Sequence, residues 1–134
     1  MKQILKAGVV MLALFGMNAA AQDWYHDREM RFHGEEWHMH LFEHVRVDLE
    51  HLPSEMWSAP REKRRIQTTK HELVDLQGKL ERRFYDEREL SDVIDSMVKT
   101  SNDQRLSPRD RTVVADDLNK LRDFRAHHDA WWRH

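Results

Sequence analysis

Apolar residues recur along this chain at spacings of three and four, with no sustained alternation of period two, and that pattern leaves helices as the only regular element the chain can build. Over 27–51, Met30, Trp37, Leu41, Val45, Leu49 and Leu52 fall along one side, and Pro53 marks the end. Over 61–84, Ile66, Thr69, Leu73, Leu76, Leu80 and Phe84 follow near-heptad spacing, with Gly78 on the outer side as a place for a bend or an early end. A third helix is expected over 87–100, opened by Asp86 and Glu89 in an acidic form of the capping box and burying Leu90, Val93, Ile94, Met97 and Val98. The fourth, over 108–131, has the firmest start: Ser107 as cap, Pro108 in the first helical position and Asp110 at the third. Its inner face carries Val114, Leu118, Leu121 and either Phe124 or Arg125, with Asp116 and Lys120 paired outside. Each amphipathic face needs another to bury against, so the expected fold is all-α, an antiparallel bundle of about four amphipathic helices.

The bundle is preceded by a different kind of segment. Lys2 and Lys6, the apolar run 7–17 and the small residues 18–21 have the form of a secretory signal peptide, with cleavage expected after Ala21. The run is too short to span a bilayer, which takes about 20 residues. Removing residues 1–21 from 134 leaves 113 residues in one expected domain, 22–134, and moves the formal charge from −2 to −4. The expected location is the periplasm or the exterior, with no transmembrane segment after cleavage. The chain has no cysteine, so an exported domain must hold by helix packing without disulfides. Nucleic acid is not an expected partner there, and the run Arg61-Glu62-Lys63-Arg64-Arg65 is then a solvated helix start or a contact for an anionic surface.

All ten histidines lie beyond the expected cleavage point, crowded toward the front. On one continuous helix at about 100° per residue, His33, His40, His44 and His51 would share a stripe, with the core on one side and Glu36, Glu43 and Glu50 on the other. His40 and His44, four apart, could present two imidazoles to zinc, copper or nickel. A further ligand would come from Glu36, Glu43, His71, His127, His128 or His134. The competing account is that boundary histidines pack on the core and pair with glutamates. Without any metal, imidazoles gaining charge near about pH 6.5 could still make the bundle respond to acid.

No sequence pattern points to catalysis. The zinc-protease His-Glu-x-x-His, a nucleophile elbow, a phosphate loop and a dinucleotide fingerprint are all missing from the sequence. Glu35 and His38 lack the second Glu-x-x-His of a di-metal carboxylate bundle. The expected function is therefore non-catalytic binding of a protein partner or an envelope surface, chaperone-like in one form, with metal binding or metal and pH sensing as the alternative. Contact residues are expected among Met56, Trp57, Trp131 and Trp132, since two adjacent tryptophans do not easily share one core. A homodimer is compatible with the same features.

Leu106-Ser107-Pro108-Arg109-Asp110 resembles the Leu-Thr-x-x-Gln element of the Spy and CpxP type of periplasmic helical chaperone. The resemblance implies a dimeric cradle for unfolded clients, with relatives that bind metals through histidine. It covers five residues of 134, Asp110 stands in place of glutamine, and there is no second copy of the element. A serine cap, a proline and an acid belong to any well-capped helix, so no membership follows from it.

Overall fold

The structure, a computed structural model, describes residues 36–53, 57 and 59–131, with the side chains of 130 and 131 excepted. The expected signal peptide lies outside the described residues. A 3₁₀ turn, Trp37–Met39, leads into α1 (Leu41–Glu50), followed by α2 (Pro60–Glu81), α3 (Glu87–Ser101) and α4 (Pro108–Trp131). The four helices pack against one another, α1 and α3 each lying on both α2 and α4, and the described residues contain no strand. No described helix is long and apolar enough to cross a membrane.

The core follows the three-and-four spacing. Leu41, Val45 and Leu49 come from α1, Ile66, Leu73 and Leu80 from α2, Leu90, Val93 and Met97 from α3, and Val114, Leu121 and Phe124 from α4, all buried. Phe124 and not Arg125 takes the inner position, and Val113 joins it. The two expected caps are both present. Asp86 accepts a hydrogen bond from the Glu89 amide at 3.0 Å, and the Ser107 hydroxyl accepts from the Asp110 amide at 3.1 Å.

Two boundaries differ clearly from expectation, and α4 is kinked within its expected span. The first helix does not run through 27–51. At His40 the backbone takes φ −121°, ψ 10°, separating the 3₁₀ turn, held by Met39 N–H to Glu36 C=O at 3.0 Å, from α1. The second helix stops at Glu81, short of Phe84, because Arg83 enters the left-handed region at φ 57°. The Arg83 and Phe84 amides then donate back to the Leu80 and Lys79 carbonyls at 2.9 and 2.8 Å, a Schellman ending with arginine where glycine is usual. Phe84 is thereby turned out of the core, 58% exposed. In α4, His127 departs from helical dihedrals at φ −123°, ψ 18°.

The α2–α3 pair is antiparallel, as three contacts along its length show. Lys79 near the end of α2 reaches Asp86 and Glu89 at the start of α3, at 2.8 and 3.3 Å. Midway, the Thr69 and Ser96 hydroxyl oxygens are 2.6 Å apart. Arg65, near the start of α2, reaches Thr100 near the end of α3 at 3.5 Å.

Candidate functional site

The break at His40 confines the described part of the histidine stripe to α1: His40 is its N-cap, the His44 amide donates to the His40 carbonyl at 3.0 Å, and His51 is its C-cap. Counting at about 100° per residue is valid only within one helix, so it does not carry back across His40 toward His33. His40 and Glu36 are exposed and Glu43 is exposed on α1, while His44 is half-buried one turn into the helix. His51 caps the other end, and its Nδ1 donates to the Val47 carbonyl at 2.9 Å. His33 lies outside the described residues. Among the described residues no group of three or more His, Cys, Asp or Glu side chains is placed to hold a metal ion.

The remaining histidines named as ligands are spread apart. His71 is exposed on α2. His127 Nδ1 lies 2.9 Å from Asp123 Oδ1, and His128 stacks flat on Tyr85 with ring centroids 3.6 Å apart. His134 is outside the described residues.

The aromatic contact residues also sort differently. Trp57 was expected to face a partner, yet it is buried, in keeping with a connector whose aromatic folds back onto the bundle. Met56, Trp132 and the side chain of Trp131 lie outside the described residues. The large apolar side chains exposed among the described residues are Met39, Val74 and Phe84. Lys120, expected to pair outward with Asp116, has its Nζ 4.4 Å from the centre of the Trp37 ring.

What the tertiary structure assembles instead is a groove of about 700 Å³, lined mainly by charged and hydroxyl residues, between 60–72 of α2 and 92–99 of α3. Arg61, Arg64 and Arg65 from α2 and Lys99 from α3 line one end; Thr68, Thr69 and Ser96 line the middle; Glu72, Asp92 and Asp95 line the other. Each helix contributes one face. Residues 61, 64, 65, 68 and 72 repeat at three and four, as do 92, 95, 96 and 99. The antiparallel register sets like beside like, so that Lys99 falls beside the arginines and Asp92 beside Glu72.

Hydroxyl bonding stiffens the floor. The Thr69 hydroxyl donates to the Arg65 carbonyl at 2.8 Å and receives Ser96 Oγ at 2.6 Å, while Thr100 Oγ1 donates to the Ser96 carbonyl at 3.0 Å. Arg65 Nε and Glu72 Oε2 are both buried without a hydrogen-bond partner among the described residues. Burial, and then repulsion from Asp92, push the Glu72 carboxyl above its ordinary 4.5. Three arginines in the opening turns of α2 also oppose the helix dipole, whose N-terminal end favours anions.

A second charged cluster closes the far end of the same helix pair. Lys79 stands 2.9 Å from Asp75, 2.8 Å from Asp86 and 3.3 Å from Glu89. Burial, followed by a hydrogen bond to Asp75, pushes Glu89 from 4.5 up to about 7. The Asp86 carboxyl is held low, first by the Glu89 amide and then by Lys79. An acid with a raised folded pKa supports the fold while protonated, and that support is lost as pH rises through the window from 4.5 to about 7. The support from Asp86 is lost only in acid, below its ordinary 3.8. Glu89→Gln is therefore expected to reduce the fall in stability across the upper window while leaving the acid limb in place. Urea titrations at several pH values test this, and an unchanged slope above pH 5 would contradict it.

The basic half of the groove was visible as the run 61–65, but its acidic half was not. Glu72, Asp92 and Asp95 are ordinary outer-face acids until the register of α2 on α3 places them together. No protein-family model, curated protein or solved structure matches this chain at significant similarity.

Proposed function

We propose that this chain is a small exported binding protein that works without catalysis, by holding a polypeptide partner in the groove between α2 and α3. The single observation that carries this reading is the groove itself: about 700 Å³, lined from two helices and graded from cationic to acidic. A solvated helix face would scatter its charges so that they neutralise locally, as Arg46 does on α1 with Glu43 and Glu50 at 3.9 and 2.7 Å. By contrast, Arg61, Arg64 and Lys99 form no ion pair among the described residues. Export rests on Lys2, Lys6, the apolar run and the small residues before Gln22. Chaperone-like capture of apolar clients has less support, because among the described residues the exposed large apolar side chains are Met39, Val74 and Phe84, on different elements. The metal alternative has less support, since no three donors converge among the described residues, which do not include His33 or His134.

The full chain produced in cells is expected to leave the cytoplasm and start at Gln22; a chain outside the cytoplasm that keeps Met1, or one that stays inside, removes the export half. A photo-cross-linking residue at Thr68, inside the groove, is expected to trap a discrete polypeptide in that compartment, and one at Asn119, exposed on α4, is not. Equal trapping at both positions, or none at Thr68, would remove the binding half.

A further inference from the structure

Building on that reading, we infer that the groove recognises an extended peptide segment bearing a carboxylate and a basic group a few residues apart, the carboxylate over Arg61, Arg64 and Lys99 and the basic group over Glu72 and Asp92. The two ends are separated along α2 by the rise from Arg61 or Arg65 to Glu72, about 10–16 Å at 1.5 Å per residue. An extended strand covers that span in about three to five residues. The middle of the groove carries the hydroxyls of Thr68, Thr69 and Ser96, which suit a peptide backbone passing over them.

Two half-buried side chains of opposite charge support a ligand with two poles. Arg65 Nε is a donor and Glu72 Oε2 an acceptor, they lie at opposite ends of the same groove, and neither has a hydrogen-bond partner among the described residues. Those two atoms are themselves closed off, but both side chains are half-buried and line the groove, so each pole offers the remaining atoms of a charged group to a ligand. An isolated anion would answer the arginines alone. An anionic bilayer or a polyanion would meet the same arginines but be repelled by Asp92 and Asp95 in the same concave surface, which favours the peptide.

The test uses the full chain and labelled peptides with blocked termini, so that side chains carry all the charge: Glu-Ser-Gly-Ser-Lys, Glu-Ser-Gly-Ser-Glu and Lys-Ser-Gly-Ser-Lys, read by fluorescence anisotropy. The mixed peptide is expected to bind at least about tenfold more tightly than either uniform one, since each pole adds its own charge-assisted contact. Both Arg61→Glu/Arg64→Glu and Glu72→Gln/Asp92→Asn should weaken it about tenfold, with the helical circular dichroism unchanged because Arg61, Arg64 and Asp92 are exposed. If the acidic peptide binds as well as the mixed one, the two-pole inference falls while the groove stands as a binding surface. If vesicles with anionic lipid bind more tightly than any peptide and ignore Glu72→Gln/Asp92→Asn, a membrane surface replaces the peptide. If no peptide binds but Thr68 cross-links persist, only the peptide inference is lost; if both fail, the proposed function falls with it.

Discussion

Phe124→Ala is expected to remove about 3–5 kcal/mol of folding stability, the range for a buried aromatic truncated to alanine. The Phe124 ring is 1% exposed and meets Phe42 edge-on, with centroids 5.0 Å apart at 67°. It also lies 6.4 Å from the Tyr85 ring at 30°. One side chain thus joins α4 to α1 and to the turn between α2 and α3. The void beside it, lined by Leu76, Leu80 and Leu90 among others, is only about 10 Å³, so the ring already fills the space at this junction. Removing the ring opens a new cavity between three elements that cannot all close on it. Against a total of about 5–15 kcal/mol for a domain, the loss is a large fraction of what holds the chain folded. Urea unfolding followed by circular dichroism measures it, and a loss below about 1 kcal/mol would show that the junction is not the centre of the core.

Gln77→Leu is the second large effect, expected at about 1–3 kcal/mol, because it strands two backbone groups that the side chain now satisfies. α1 starts without a cap from its own segment, since His40 makes no capping bond. The cap comes from α2: Gln77 Oε1 accepts from the Glu43 amide at 3.2 Å, and Gln77 Nε2 donates to the Met39 carbonyl at 2.9 Å. Gln77 is 9% exposed, so water cannot readily replace it. Leucine of similar size keeps the packing and removes both bonds, whereas Gln77→Glu keeps the acceptor and should fall between. Hydrogen exchange separates this from a general loss of stability. The Glu43 amide should lose protection more than the amides of α3 do, and equal loss in both helices would show that Gln77 does not cap α1.

These two residues also mark how far the chain could be read from its sequence. The faces of α2 and α3 were legible because Ile66, Leu73, Leu80, Leu90, Ile94 and Met97 repeat at the period of the helix, and all are buried. Asp86 and Ser107 were legible because a cap bonds an amide only three residues away. Phe84 kept the heptad spacing and still fell outside, since Arg83 adopts a left-handed turn that its side chain does not announce. The histidine stripe was drawn past the start of α1 for a related reason. It assumed one helix through His40, and the start of α1 is decided by Gln77, 34 residues beyond Glu43 and 38 beyond Met39. Asp48 and Asp117, both buried, gave no sequence signal that would set them apart from the chain's many solvated acids.

The candidate site divides in the same way. The arginines of 61–65 stood out as a run, whereas Glu72, Asp92 and Asp95 acquired meaning only when Thr69 met Ser96 and Arg65 met Thr100. By itself the sequence determined that the described chain is helical, which faces turn inward and where α3 and α4 begin, because those choices depend on neighbours three or four residues away. The tertiary structure alone decided where α1 starts and that one groove carries opposite charge at its two ends. Both depend on the register between helices, which is set by packing across many residues and is written in no local pattern.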